Sequence, residues 1–590
     1  PPPLLSLDRP FTYSLAGDQQ AGTGSLVSVR FHGKLTKGWV LGPSVAAPEK
    51  MLDVQKVHGG VRFFDQDSLR LLRWVAERTV APLATVIGRS VPPRVVSEEE
   101  PTSADPTPEG ARMAPPAAPV SAAVADVSST ARSVLEDYRG GRRLLETIAS
   151  GEGASIVRPS PAQEVSVAVE AVGACLAGGR RAIVLVPEAA PVPATARALA
   201  ETFAGRCLQY LGGSKRDRYR MWLDVLAGRY EVVVGTRPAV FAPLQDVGLI
   251  WVARESHAAH REDRSPYYHV RDVALARAAL SGAVAVMASL CPSSEAVATG
   301  APEVTPQRRS WPPVEVVKPG SEGRAPRLVS ALKQTRGAFL FEPLRGYGVA
   351  QICRSCGEAA GCSVCGGILR MEGGRVGCAV CGAAGTCAKC GATDFGVRRG
   401  GAERVEEWVR GIVSLPVRAG EPASGSVAVG GADAVRDLGP VGLDLVGILE
   451  ADLVVRRPGI GATERGLAVW MEAAAWAAEG RVIVQTNHAN DPSVQALVGG
   501  NPSRFYRAEF SRRTEAGFPP GAPVFRVTGG PELPDELQAL APIGLLVSSP
   551  ESETICLVTI GRDDVRAFGE RIRELAREGI VTRVEAEPHL

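Results

Sequence analysis

No run of apolar residues in this 590-residue chain approaches the ~18–20 needed for a membrane-spanning helix. The opening PPPLLSLDRPFTY also lacks the basic stretch and long apolar run of a secretory signal. Both absences predict a cytoplasmic chain with no membrane partner. A strong charge of either sign is missing too: 66 Lys and Arg face 64 Asp and Glu, for a formal net charge of +2. With no overall basic field, any contact with DNA must come from local clusters of Arg and Lys. What is present is a 45% hydrophobic fraction, ample for several buried cores and too high for global disorder. At about 150 residues per domain, the length predicts roughly four domains.

The patterning predicts an α/β multidomain chain. Residues 1–96 form a small β-rich domain, with LVSVRF and GWVLG as strands and SLRLLRWVAERTV as a helix. Residues 97–133 are Pro-, Ala- and acid-rich without a core period, which predicts a mobile linker. Residues 134–300 alternate helical segments with the apolar runs RAIVLVPE, EVVVGT, VGLIWVA and AVAVMAS, a rhythm that predicts a parallel sheet covered on both faces. A second such lobe covers 301–350 and 396–500, through AFLFEP, SVAVGG, LVGILEAD and RVIVQT. A cysteine-rich insert, 351–395, interrupts it, and 501–590 reads as an α+β domain.

The insert carries the strongest local signal. Cys353, Cys356, Cys362, Cys365, Cys378, Cys381, Cys387 and Cys390 follow C-x2-C-x5-C-x2-C-x12-C-x2-C-x5-C-x2-C, and a Gly follows each C-x2-C pair. A C-x-x-C turn directs two thiolates at one metal, and Gly tolerates the positive φ such turns need. Eight thiolates suffice for two tetrahedral zinc sites, fully coordinated and therefore structural. Reduced cytosolic thiols argue against disulfides, and the regular C-x2-C-G pairs favour zinc over an iron–sulfur cluster. Spacing alone leaves open which pairs share a metal. One arrangement closes the x12 segment as a hairpin between the inner pairs, so that the outer pairs meet around it.

The same region resembles the zinc-binding region of the PriA family, bacterial primosomal proteins that restart stalled replication forks. ICRSCGEAAGCSVCGGILR, VGCAVCG and CAKCG carry the likeness, flanked by Arg345, Gly346 and Tyr347 on one side and Glu403 to Glu407 on the other. LDRPFTY, LVPE, VVVGTRPAVFAPL, YHVRDVA, LEADL, VIVQTNHANDPSVQA and FYRAEFSRRTEAGFPP extend it, in family order, along most of the chain. The resemblance implies a DNA 3′-end-binding domain, two RecA-like helicase lobes and a C-terminal domain. It also implies a nested ligand set: Cys353, Cys356, Cys387 and Cys390 on one Zn²⁺, and Cys362, Cys365, Cys378 and Cys381 on the other.

The motor motifs of that family are degenerate here, as in actinobacterial forms. No GKT or GKS occurs in the chain, and the cradle matched to TIASGEGASIV puts Glu152 where a phosphate-binding Lys belongs. The metal-holding DEEH segment reads Ala253-Arg254-Glu255-Ser256, and the SAT segment reads Ser289-Leu290-Cys291. MEAAAWAAEG, 471–480, contains no Arg where arginine fingers should stand. ATP-Mg²⁺ is therefore not expected to be hydrolysed; the competing reading is an active 3′→5′ helicase.

For DNA, the resemblance implies a 3′-end pocket at Phe11, Gly33 and Lys56, with Thr12 replacing the family's Asp. The competing reading of Phe11 is ordinary core. Arg30, Lys34 and Lys37 could meet phosphate or line a solvated strand edge. Arg504, Arg507, Arg512 and Arg513 form the densest basic stretch of the tail, either a DNA track or a solvated helix face. Trp74 lies on the helix that in the family helps receive the tail of single-stranded DNA-binding protein; its plain reading is a half-buried Trp. His257, His260 and His269 lack the spacing of a metal site. The family's winged-helix domain has no counterpart in the short, Pro-rich segment 97–133. The expected function is fork or single-stranded DNA binding with recruitment of primosome and replication-restart partners, without helicase activity.

Overall fold

A computed structural model describes residues 4–17, 19–44, 51–99, 133–308, 310–320, 324–343, 350–356, 362–364, 369–372, 375–378, 382–387, 389–398, 401–455, 459–548 and 553–588. Most of the expected linker lies outside them, as do Cys365, Cys381 and the Arg345–Tyr347 match.

The N-terminal domain is a four-stranded sheet in the order Tyr13–Ser14, Leu52–Arg62, Ser25–Phe31, Lys34–Trp39, followed by helices Gln66–Arg78 and Leu83–Ser90. Asp65 caps the first helix by accepting from the Ser68 N–H, and Leu69, Leu72 and Val75 bury its inner face. The long strand Leu52–Arg62 has no apolar alternation; only Val54 in it is buried, so periodicity could not find it.

Two parallel sheets make up the middle of the chain. The first runs Tyr138–Arg139, Glu303–Pro306, Gly153–Val157, Val284–Ala288, Val247–Ala253, Arg181–Leu185, Val232–Gly235, Cys207–Tyr210, and only its first strand is antiparallel. Its central strands are continuous buried runs of Val, Ile, Leu and Ala because helices cover both faces. The second runs Val314–Val317, Arg481–Gln485, Leu445–Ile448, Ala338–Phe341, Val427–Gly430, Val417–Ala419, all parallel. The cysteine-rich insert leaves this lobe after Ala338–Phe341 and returns at helix Ala402–Arg410.

The last domain is an antiparallel sheet, Gly544–Ser548, Thr554–Thr559, Val524–Gly529, Val581–Ala586, packed on helix Val565–Glu578 through Phe568, Ile572 and Leu575. It folds back onto the N-terminal domain: Arg573 donates to Asp8 at 2.9 Å, and Arg78 pairs with Glu587.

Three expected boundaries shift. Strand Glu303–Pro306 pairs inside the first sheet, so that lobe extends past residue 300. Helix Ser503–Glu515 buries Phe505 and Tyr506 in the core of the second lobe, so the tail domain begins after it rather than at 501. The linker also starts later than 97. Glu98 pairs with Arg216 and Arg220, while Glu99 accepts from Arg94 Nε at 2.6 Å and from the Tyr219 hydroxyl at 2.6 Å. Composition could not reveal that two acidic residues of a Pro-rich border are anchored to the first lobe.

Candidate nucleic-acid interface and metal centre

In the N-terminal domain a cleft of about 1360 Å³ lies between the sheet, both helices and the end of helix Val565–Glu578. Phe11 lines it beside Phe31, with ring centroids 5.0 Å apart and nearly perpendicular planes, and the Arg9 guanidinium lies 5.3 Å from the Phe11 centroid. Tyr13 and Trp39 extend this aromatic lining, and Thr12 lies in it as well. The other two residues expected at the pocket are elsewhere. Gly33 forms the tip of hairpin Ser25–Trp39, where its φ of +78° suits a residue without Cβ.

Lys56 sits in register with Ser28, whereas Val27, Val29 and Val54 face the cleft. Alternation therefore sends Lys56 to the opposite face of the sheet, away from Phe11. That face also carries Lys37, paired with Ser28, and His58, whose Nε2 is 2.7 Å from Ser28 Oγ. Burial, with Lys37, Arg94 and Lys56 close by, lowers the His58 pKa. Arg30 and Lys34 are exposed near the hairpin tip, and Trp74 is half-buried against the core of the domain and the first lobe.

The second site is the cleft between the lobes. In a parallel sheet, ligands bind beyond the carboxyl ends of the strands. Strand Gly153–Val157 leads at that end into loop 158–163 and helix Glu164–Ala177, so RPSPAQ occupies the position of a phosphate cradle. This corrects the match to Glu152, which precedes the strand at the other end of the sheet, near Gly282. The Gly pair of SGEG has the local look of such a cradle but lies at the wrong end of the strand. The corrected loop has no Lys and no Gly, and Pro159 and Pro161 remove two N–H donors. The Ser160 N–H donates to Tyr138 Oη at 2.8 Å, and the Tyr138 hydroxyl donates to Gln163 at 2.9 Å.

Strand Val247–Ala253 ends in Ala253, and Arg254 follows with a left-handed backbone, φ 51°. Its guanidinium is 3% exposed, 2.7 Å from Glu472 on helix Ala462–Ala475 and 3.8 Å from Glu164 in the first turn of helix Glu164–Ala177. Its Nε and Nη1 have no hydrogen-bond partner among the described residues. Burial pushes the Glu472 carboxyl up to about 7, against the pull of Arg254, and raises Glu164 likewise.

Glu255 is fully buried and accepts from Arg271 Nη1 at 3.0 Å, from the Ser293 N–H at 2.9 Å and from its hydroxyl at 2.7 Å. Leu290 and Cys291 belong to the core of the second lobe. The three histidines serve the backbone. His257 and His269 accept from the N–H groups of Ala259 and Arg271, and His260 Nε2 lies 2.8 Å from the Ala253 carbonyl.

The basic stretch of the tail divides. Arg504, Arg507 and Arg512 are exposed, and Arg512 pairs with Glu509. Arg513 is buried among Glu509, Glu464 and Glu295, at 2.8, 2.6 and 3.0 Å. It faces the lobes, and the expected four-arginine track loses it.

In the insert, strands Ala350–Cys353 and Phe395–Arg398 pair and bring the outer cysteines together. The sulfurs of Cys353, Cys356, Cys387 and Cys390 lie within 4.8 Å of one another, at 3.4 Å for Cys353–Cys390 and 3.8 Å for Cys356–Cys387. Tetrahedral zinc with Zn–S bonds of about 2.3 Å needs sulfur separations of about 3.8 Å, so the four thiols fit the ion. Burial opposes ionisation of Cys353, but hydrogen bonds from Cys390 and the N–H groups of Cys356 and Ser355 outweigh it and hold the thiol down at about 6. Gly382 and Gly391, each following a C-x2-C pair, have φ near +72° and +71°. Strands Leu369–Glu372 and Arg375–Cys378 form the hairpin inside the x12 segment. Of the inner set, Cys362 and Cys378 are buried in the same small core, and Cys365 and Cys381 lie outside the described residues.

Residues 2–92 match the family model of the 3′DNA-binding domain (3′BD) of PriA. The probable replication restart protein PriA of Mycobacterium leprae is 28% identical over 603 residues, covering 91% of this chain and 90% of that protein. The chain is similar to this PriA protein along most of its length. Its counterpart from Mycobacterium tuberculosis (strain CDC 1551 / Oshkosh) is 28% identical over 593 residues, covering 89% and 85%. The replication restart protein PriA of Treponema pallidum is 27% identical, covering 88% and 85%. The segment matched to the 3′BD model contains the aromatic cleft around Phe11. No helix among the described residues is long and apolar enough to cross a membrane.

Proposed function

We propose that this chain binds branched or single-stranded DNA at stalled forks and recruits the replication machinery by binding alone, with no helicase activity. DNA binding and replication restart are supported by the 3′BD match and by relatives named replication restart proteins. The observation that carries the motor-less part is Arg254, buried between Glu164 and Glu472 in the interlobe cleft. Phosphoryl transfer needs a Lys on the phosphates, an acid on Mg²⁺ and, commonly, an Arg from across the cleft. Here the loop offers no Lys, the strand ends in Ala253, and the facing helix contributes Glu472.

In this reading the Phe11 cleft takes the base at an exposed 3′ end. Lys37 and Lys56 meet backbone phosphate on the other face of the sheet, and Arg504, Arg507 and Arg512 do so at the second lobe. Cys353, Cys356, Cys387 and Cys390 hold one Zn²⁺, and Cys362, Cys365, Cys378 and Cys381 a second. Full thiolate coordination leaves no open position, so zinc would act by folding the module rather than by chemistry. The module would then serve partner assembly, and Trp74 a contact with single-stranded DNA-binding protein.

The test is a titration of forked and blunt DNA into the zinc-loaded chain, with and without ATP-Mg²⁺. The expected result is a salt-dependent preference for forks that ignores nucleotide, with two zinc ions per chain by metal analysis. DNA-stimulated ATP hydrolysis would overturn the motor-less reading.

A further inference from the structure

The cleft does more than lack the groups for nucleotide chemistry; its two walls are joined. Arg254 of the first lobe is 2.7 Å from Glu472 of the second, with side chains 3% and 4% exposed. Ser294 donates from its N–H, at 2.8 Å, and from its hydroxyl to Glu464, which also pairs with Arg513 at 2.6 Å. Arg513 in turn crosses back to Glu295. Elsewhere along the boundary the Thr195 N–H donates to Asp437 at 3.1 Å, Arg436 to the Ala190 carbonyl at 2.5 Å, and Arg158 to the Gly500 carbonyl at 3.1 Å. Between these links the Tyr506 hydroxyl donates to the Pro292 carbonyl, and Cys291 is buried against it.

Two features separate this from ordinary domain packing. The charges are inverted relative to what a nucleotide-filled cleft requires: the cation stands on the wall that should hold the metal-binding acid, and the acid on the wall that should hold the cation. Each wall therefore neutralises the other directly, where a motor places nucleotide and Mg²⁺ between them. The left-handed backbone of Arg254 is also one a non-glycine residue keeps only when its surroundings hold it there, and those surroundings come from both lobes.

We infer that the inverted pair Arg254–Glu472, together with the Ser294–Glu464–Arg513–Glu295 chain, locks the lobes into one rigid body, so that the protein meets DNA as a scaffold of fixed shape that nucleotide does not move. The inference rests on the motor-less reading and goes beyond it, since a dead ATPase could still open and close around ATP.

Hydrogen exchange on the full zinc-loaded chain tests it, read on helices Glu164–Ala177 and Ala462–Ala475. A non-hydrolysable ATP analogue with Mg²⁺ is expected to leave both helices unchanged. Removing the nearer partner, Glu472→Ala, leaves the buried cation with only the more distant Glu164 and should speed exchange in both helices about tenfold or more, whereas Arg254→Met with Glu472→Met should restore slow exchange. If Glu472→Ala does not fold, the double variant and the wild-type nucleotide arm still decide. Nucleotide-dependent exchange, or a Glu472→Ala chain as protected as wild type, overturns the lock. Opening without hydrolysis defeats the lock alone; hydrolysis defeats the motor-less reading beneath it.

Discussion

Two clefts among the described residues are built in opposite ways. The interlobe cleft is lined with charge that pairs across it: Arg254 with Glu472, and Arg513 with Glu295. The N-terminal cleft is larger than a small-ligand pocket, open, and lined by Phe11, Tyr13, Phe31 and Trp39. Buried charge that finds its partner inside the protein has no use for a ligand, because any ligand would have to replace an ion pair already made. Aromatic faces in an accessible cleft keep their capacity to stack whatever enters. The contrast teaches where to look for binding: at the N-terminal cleft, not at the one between the lobes.

The sharpest way to break this comparison is Arg254→Ala. If the interlobe cleft is held by its charges, leaving Glu472 and Glu164 buried without their cation should destabilise the chain by about 3–5 kcal/mol in urea denaturation. DNA affinity of the fraction that remains folded should be unchanged. Phe11→Ala should do the reverse. Losing one stacking face should weaken binding of an oligonucleotide with a free 3′ end by about 1–3 kcal/mol, with little change in denaturation midpoint. A variant pair that moved both readouts together would dissolve the distinction between the clefts.

A pH series sharpens it further, because the interlobe cleft is rich in buried titratable groups. Burial raises Glu164 and brings Glu472 and Glu464 to about 7 from the ordinary 4.5. Folding therefore favours their protonated forms, and that stability is lost as pH rises from 4.5 through the folded values. Burial also holds His257 at about 3 and His260 at about 4, and lowers His269, so their stability is lost as pH falls below 6.5. The trends oppose one another between 4.5 and 6.5 and should give a plateau there. Above it, stability should decline by up to about 1.4 kcal/mol per pH unit per carboxyl, and Glu472→Gln should flatten that decline. The smallest effect concerns the tail. Arg504→Ala should leave the melting temperature unchanged and reduce only the salt dependence of DNA binding, whereas Arg513→Ala, which breaks a buried cluster, should lower the melting temperature.

Much of the fold was legible because buried parallel strands are continuous apolar runs. RAIVLVPE, EVVVGT, VGLIWVA and AVAVMAS are each strands of the first sheet, and AFLFEP, SVAVGG, LVGILEAD and RVIVQT of the second. Strand Leu52–Arg62 was not legible, since it is mostly exposed and its pairing shifts register twice. Helix Ser503–Glu515 was legible as a helix but not as part of the second lobe, because which core receives Phe505 and Tyr506 is a tertiary matter. The same limit explains the phosphate loop. Local glycine spacing drew attention to Glu152, but the end of the sheet at which a loop lies depends on strand direction, which only the assembled sheet gives.

By itself, then, the sequence determined the cysteine framework and the two parallel lobes, because metal-ligand spacing and apolar runs are local properties. Only the tertiary structure decided which four thiols meet, that Lys56 and Phe11 stand on opposite faces of one sheet, that Arg513 is internal, and that Arg254 and Glu472 close the cleft between them. Each of these depends on the direction in which a side chain leaves the backbone and on what a distant segment presents to it. The residues joining Arg254 to Glu472 lie in different domains, and no reading of either neighbourhood alone reveals that the cation of one is the counterion of the other.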